Sequence, residues 1–387
     1  MVRLSRMKIF DDSVLISANY KKEVNILLFV LLGKKIPVDW FAVVSLDSLR
    51  NLAKRNKCLD ILSRNSDFIS FFEKKIGIKS DRVRIELLTY SIESEKKSIR
   101  LNFENSKVDY IFLSLTPYLL QKYSASLLSS GSDIDLLVKI DDIRKAATIL
   151  FLLGYRIKEF PTQEITFYSD KKLFQVDLHH LASVYFDSIE SSLITDKRLV
   201  LAFTNEFLVA SKSKTSLEHL LLANIFNFWN NEYLRGLRSL RDIAFFISID
   251  INLSWEKYCE VAQRYDFLEK SYLIFLLCEK VFNITLPIKI KKDISKNWRL
   301  LFVASYFSEY KVAHFPTTDK IKSNDFRRKK KLLFKYMELE NYFVLLLINP
   351  KVPTVRLLRP KILMFMLKML FITIYFKLEK QYLYFFK

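Results

Sequence analysis

Asp133 and Asp135 stand two positions apart in the stretch LLSSGSDIDLLVKIDD (127–142), directly ahead of Leu136, Leu137 and Val138. In an extended strand, side chains at i and i+2 project to one face, so the two carboxylates point together while Ile134 and Leu136 point to the other side. Carboxylates held that close repel one another unless a cation lies between them, and burying them unpaired is costly. Mg²⁺, or Mn²⁺ in its place, is the fitting cation: Mg²⁺ prefers hard oxygen ligands, uses one or two protein carboxylates and leaves its other positions to water and substrate phosphates. Asp177, in FQVDLHHLA, is the natural third carboxylate, on a second expected strand 42 residues after Asp135. Three carboxylates on adjacent strands suit phosphoryl or nucleotidyl transfer, with metal ions bridging the phosphates and the third carboxylate positioning or deprotonating an attacking hydroxyl. The plainer alternative is a strand with polar lead-in residues and an Asp177 neutralised by a nearby Lys.

His179 lies two residues after Asp177 and shares its strand face, which makes it a candidate to contact phosphate or to orient the acceptor; His180 points the other way. His219 and His314 have no companions and read as structural or exposed. Asp242, in LRSLRDIAFF, reads as a salt-bridge partner of a neighbouring Arg. Tyr123 and Tyr168 are candidate base-stacking rings, although in a chain with 19 tyrosines packing is the commoner use.

The elements that must position these residues follow from pattern. Residues 1 to about 104 read as a helical region, with apolar residues at three- and four-residue intervals in VDWFAVVSLDSLRNLAKRNKCLDILSRN. A β-rich unit follows over 105–190. Within it, Asp141 and Asp142 are expected to cap a helix whose apolar stripe is Ile143, Ala146, Ala147 and Leu150, with Gly154 as its stop. EITFYS and KLFQVDLHH are expected to pair as a hairpin around Ser169-Asp170-Lys171-Lys172. From 191 to 387 helical spacing returns; Leu217, Leu220, Leu221, Asn224 and Phe228 share one face. The expected fold class is therefore α+β, a small mixed sheet between two helical regions, with the three aspartates along one edge of that sheet.

Length and composition agree with this. The 387 residues are half hydrophobic, and 62 Lys and Arg against 42 Asp and Glu give a formal charge of +20, which favours polyanionic partners. Three separated cysteines make no metal-binding spacing. The opening MVRLSRMKIFDDSV has no signal-peptide pattern, so the expectation is a cytoplasmic protein. The cluster Arg327 to Lys331 is a candidate nucleic-acid contact, though no known recognition module accompanies it. The tail 361–387 alternates large apolar residues with Lys and could lie in a membrane interface, or pack its apolar face on the helical region.

GSDIDLLV, a following helix, LGY and then VDLHH together resemble the DNA polymerase β-type nucleotidyltransferase superfamily, and most closely its bacterial branch of uncharacterised nucleotidyltransferases. VDWFAVVSLDSLRNLAKRNKCLDIL is similar to that family's N-terminal helices, and EHLLLANIFNF with LRSLRDIAFFI to the helical pair after its core. The resemblance implies a nucleotidyltransferase core using an NTP, Asp133 and Asp135 as metal ligands, and Asp177 as the third carboxylate. One departure stands out. The superfamily places a Gly-Gly, Gly-Ser or Lys-Gly element ahead of the first aspartate for the nucleotide phosphates, where this chain has Ser114 and Leu115. Ser114, together with Gly131 and Ser132 beside Asp133, are the nucleotide-contacting candidates, although Gly131-Ser132 leaves no room for the helix that should intervene. The departure keeps open a second reading, a non-catalytic module that retains the fold to bind nucleotide, nucleic acid or a partner protein. The acceptor carries no signature.

Overall fold

The computed structural model describes residues 18–76, 78–123, 133–159, 164–172, 174–182, 197–212, 214–232, 236–249 and 252–306. Helices α1 (Ala18–Leu31), α2 (Val38–Ala42), α3 (Leu46–Arg55), α4 (Leu59–Arg64), α5 (Ser66–Ile76) and the long α6 (Ile78–Asn105) precede the sheet. Strand β1 (Tyr110–Phe112), the single turn α7 (Thr116–Leu119), β2 (Asp133–Val138), α8 (Ile143–Leu152), β3 (Arg156–Glu159), β4 (Glu164–Tyr168) and β5 (Gln175–His179) make the α/β unit. Helices α9 (Lys197–Ala210), α10 (Leu217–Glu232), α11 (Leu237–Ser248), α12 (Trp255–Arg264), α13 (Leu268–Phe282), α14 (Ile288–Ser295) and α15 (Trp298–Tyr306) follow. The fold class is α+β, as the sequence pattern indicates. No helix among the described residues is long and apolar enough to cross a membrane. His314, the basic cluster 327–331 and the tail 361–387 lie outside the described residues, as do Gly131 and Ser132.

The five strands run in the order β1-β2-β5-β4-β3, with β2 and β5 parallel and every other pair antiparallel. The expectation that the aspartates line an edge is corrected here. Their strands are the second and third of five, because the β3-β4-β5 meander adds to β2 through its last strand rather than its first.

Strand alternation sorts the sheet into two faces. Ile134, Leu136, Val138, Val176, Leu178, Ile165 and Phe167 pack in one core with Ile92, Ile99 and Phe103 of α6 and Ala146, Ile149 and Leu150 of α8. Each of these large side chains contributes about 1.5–3 kcal/mol by leaving water. The other face carries Asp133, Asp135, Asp177 and His179. Leu137, Ile111 and Leu113 of that face join a second, larger core built by α1 to α5, α7 and α9 to α15. The aspartates thus stand on the side of the sheet that meets the helical body.

Helix α8 ends as its glycine requires. Gly154 adopts φ +85°, the Gly154 amide donates to Phe151 O (3.0 Å) and the Tyr155 amide to Leu150 O (3.0 Å), which satisfies two terminal carbonyls. Its start differs from the expectation: residues Ile140–Asp142 form a 3-10 turn, and Asp142 makes no side-chain capping bond. The acidic pair therefore acts there only through charge at the helix start. The expected turn forms, with the Lys172 amide donating to Ser169 O (3.1 Å), but the connection is longer than expected and β5 begins only at Gln175.

Candidate metal centre

The parallel register of β2 and β5 sets Asp135 directly beside Asp177, with Asp133 one step along the same face. One carboxylate oxygen from each of the three lies within 4.8 Å of the others. Strand β4 adds two groups that the sequence reading did not single out: Thr166 opposite Asp177 and Glu164 opposite His179. His179 bridges the arrangement, its Nε2 3.1 Å from Asp135 Oδ1 and its Nδ1 3.2 Å from Glu164 Oε2. The shared face predicted for Asp177 and His179 is thus what the strands produce.

These contacts fix the electrostatics. Burial pushes the Asp177 carboxyl up, a hydrogen bond with Thr166 opposes it, and the charges of Asp135, Glu164 and Asp133 raise it further, to about 6. Asp135 goes the other way. Burial would raise it, but the hydrogen bond and charge of His179, with Arg238 and Lys57 behind them, hold it below the usual carboxylate range. Burial would lower the His179 ring; its bond to Asp135 and the surrounding carboxylates outweigh that and raise it.

The three carboxylates fit a divalent cation. Asp177 Oδ1 is buried without a hydrogen-bond partner, and among the described residues no Lys or Arg pairs with Asp177. The alternative of a carboxylate neutralised by a nearby Lys is therefore not what forms. A buried acceptor left open costs about 1–3 kcal/mol, which a cation shared with Asp133 and Asp135 would offset. The Asp135 side chain is 42 % exposed, so the group can be reached from solvent.

Ser114 reaches the same end of the sheet. The Leu113 amide donates to Asp135 O (3.1 Å), so the chain leaves β1 alongside the aspartate strand. The Ser114 hydroxyl is engaged locally: it donates to Thr116 Oγ1 (3.0 Å) and accepts from the Thr116 amide (3.2 Å). Leu115 packs in the larger core, a use of the glycine position that a glycine could not serve. Tyr123 stacks on Phe245 with centroids 4.1 Å apart, which makes it a packing residue. Tyr168 ends β4 opposite Arg156. Asp242 is held by buried Arg241, in keeping with the salt-bridge reading. His219 does have companions, contrary to expectation: Ser216 Oγ lies 2.8 Å from its Nδ1, Glu206 Oε1 3.1 Å from its Nε2, and Phe203 and Phe207 stack on the ring. Its structural reading fits this setting.

Sequence reasoning also missed Lys57, in the turn between α3 and α4, and Arg238, in the first turn of α11, whose charges act on Asp135. No local pattern points to either. Comparison with known proteins bears on the same span. No curated protein and no solved structure matches the chain. A family model described as uncharacterised nucleotidyltransferase matches residues 76–283, taking in all three aspartates and His179. With more than half of its length matched around this carboxylate cluster, the chain belongs to that family of uncharacterised nucleotidyltransferases.

Proposed function

We propose that the chain is a Mg²⁺- or Mn²⁺-dependent nucleotidyltransferase that moves a nucleoside monophosphate from an NTP to a hydroxyl or phosphate acceptor. The observation that carries this reading is the cluster of Asp133, Asp135 and Asp177 with one buried oxygen left open. In this reading Asp133 and Asp135 hold the metal and Asp177 completes its ligand set. The bound cation supplies charge neutralisation of the triphosphate and favours the deprotonated acceptor. Asp177 aligns the acceptor, whose oxygen attacks the α-phosphorus as the α–β bridging bond breaks and pyrophosphate leaves with the electron pair. His179 is a positioning residue: gripped by Glu164 on one side, it fixes the orientation of Asp135 on the other. Alignment and charge neutralisation supply most of the acceleration.

On the pattern of its D-I-D-L-L-V and V-D-L-H segments we assign the chain to the bacterial branch of the DNA polymerase β-type superfamily, with a core over 105–190 between helical regions 1–104 and 191–387. The purified protein, incubated with labelled NTPs and Mg²⁺ or Mn²⁺ against cell extract, RNA and itself, should transfer label, and Asp133→Asn should abolish transfer with the fold intact. Transfer indifferent to that substitution sinks the mechanism. The engaged Ser114 and the buried Leu115 favour a second reading, a non-catalytic nucleotide-binding module. Nucleotide binding with no metal-dependent turnover decides for it.

A further inference from the structure

We propose that Gln175, Tyr168 and Lys158, on the strands beyond Asp177, hold the acceptor of the transfer, and that this acceptor is the end of a single-stranded nucleic acid; the assignment rests on the nucleotidyltransferase reading given above. Strand register places this shelf. Gln175 pairs with Asp133 and lies two residues before Asp177, so it shares the aspartate face. Phe167 pairs with Val176, and Tyr168, the next residue of β4, therefore stands beside Gln175 on that same face. On β3, Arg156 pairs with Tyr168, and the register shift between Ile157 and Glu159 marks a bulge, which re-aims the side chains around it. From there Lys158 reaches back over β4, and its Nζ donates to Gln175 Oε1 (3.1 Å). Neighbouring strands lie about 4.8 Å apart, so one continuous row runs from Asp133 through Gln175 and Tyr168 to Arg156, with the Lys158 ammonium beside it.

The shelf is open, and its groups are available. All four residues of β3 are exposed, and Gln175 and Tyr168 are partly exposed, whereas on the other side of the aspartates Leu137, Ile111 and Leu113 run into the helical body. Unlike Tyr123, which stacks on Phe245, Tyr168 has no ring or cation against it among the described residues, and its hydroxyl bonds to none of them. Lys158 is steadied by an amide and pairs with no carboxylate among those residues, so its charge is not neutralised. The nearby carboxylates are Glu159, opposite Thr166, and Asp170, which lies 3.7 Å from Arg156 in a largely exposed pair that water weakens. A partly exposed ring accepts the face of any base, and a cation beside it accepts the phosphate that follows, which suits a single strand; a base paired inside a duplex offers no free face. The excess of 62 Lys and Arg over 42 Asp and Glu favours such a polyanion. Location decides the role. The shelf begins beside Asp177, the carboxylate that aligns the acceptor, so a strand with its terminal base on Tyr168 brings its terminal hydroxyl toward the metal site. That hydroxyl oxygen then bonds to the α-phosphorus, its proton passes to water and pyrophosphate departs with the bridging electron pair.

The test uses the full chain and three probes: a fluorescently labelled single-stranded RNA of about 12 nucleotides, the same RNA in a duplex, and ATP with Mg²⁺. Lys158→Gln and Tyr168→Leu should each weaken single-strand binding about tenfold and leave ATP within about twofold. Tyr168→Phe, which keeps the stacking face, should bind as the wild type does. Lys158→Gln should also lower the slope of log affinity against log salt by about 0.7. Lys97→Gln, which removes an exposed cation of α6 on the opposite face of the sheet, should change nothing. The duplex should bind more weakly than the single strand and should not respond to Tyr168→Leu. Single-strand binding absent in the wild type, or unchanged in both variants, overturns the proposal, as does loss of ATP binding in step with RNA, which gives the shelf to the donor nucleotide. In each of these cases label transfer that depends on Asp133 leaves the nucleotidyltransferase reading in place. A wild-type chain that binds neither ATP nor RNA overturns both. If Tyr168→Leu unfolds, as seen by circular dichroism, the exposed Lys158 variant decides alone.

Discussion

Replacing Asp177 with Asn should make the metal-free protein more stable and the metal-loaded protein less so than the wild type. The three carboxylates approach within 4.8 Å of one another. At that distance two unit charges repel by about 3.5 kcal/mol at an effective dielectric of about 20 and by about 1 kcal/mol in bulk water. Asp133 is exposed and the Asp135 side chain is 42 % exposed, so the lower figure is the appropriate one for each pair. Asp177 faces both, and relieving both contacts is worth about 2 kcal/mol in the absence of a cation. Asn keeps the shape, and its amide can donate to Asp135. The assay is urea unfolding at about pH 8, above the raised Asp177 value of about 6, in EDTA and in excess Mg²⁺. Mg²⁺ at about 100 times its dissociation constant adds about 2.7 kcal/mol to the wild type and little to the variant, so the order of stabilities inverts. A variant less stable than wild type in EDTA, or stabilised by Mg²⁺ as much as wild type is, refutes the shared-cation account.

Further outcomes follow from groups away from the aspartates. His219 is held below its ordinary value of 6.5, mainly by burial, so the unfolded chain binds a proton that the folded chain refuses. Stability should therefore fall as pH drops through about 6.5, and His219→Gln should flatten that slope between about pH 7 and pH 5 in a series of urea midpoints. Burial opposes ionisation of Glu206, but hydrogen bonds from Tyr265, Arg264 and His219 outweigh it and lower its value; the stability this group adds is present above 4.5 and should vanish at lower pH. Asn56→Ala should cost about 1–2 kcal/mol in urea unfolding by leaving the α11 amide without its acceptor. Asp242→Ala removes a carboxylate partner of Arg241, whose side chain is fully buried, and should cost about 1–3 kcal/mol by the same measurement.

The strands bearing the aspartates were legible because each combines a short β-branched or apolar run with polar residues at every second position, and α8 because its stripe ends at a glycine. Strand β3 was not. Its residues Arg156–Glu159 are all exposed, and it is a strand only because β4 lends it a partner on one side. The place of β5 inside the sheet was also unreadable, since a hairpin carries no mark of which of its edges will meet β2. Glu164 and Thr166 could have been found by counting the hairpin register, but the turn spans more residues than Ser169 to Lys172, so the count slips by two. The tie between Asn56 and Leu237 has no local signal at all. It is made by a core that neither segment describes, and Lys57 and Arg238 inherit their position from it.

The parallel pairing of β2 with β5 also orders events in time. Strands β3, β4 and β5 are joined by short antiparallel connections and can form among themselves within microseconds, whereas β2 must wait for the whole crossover through α8 to close. The carboxylates of β2 and β5 meet only where these two strands pair, so their repulsion opposes that pairing. With a cation held between the three aspartates as proposed, that repulsion would be offset as the two strands dock, so refolding should run faster in Mg²⁺ than in EDTA.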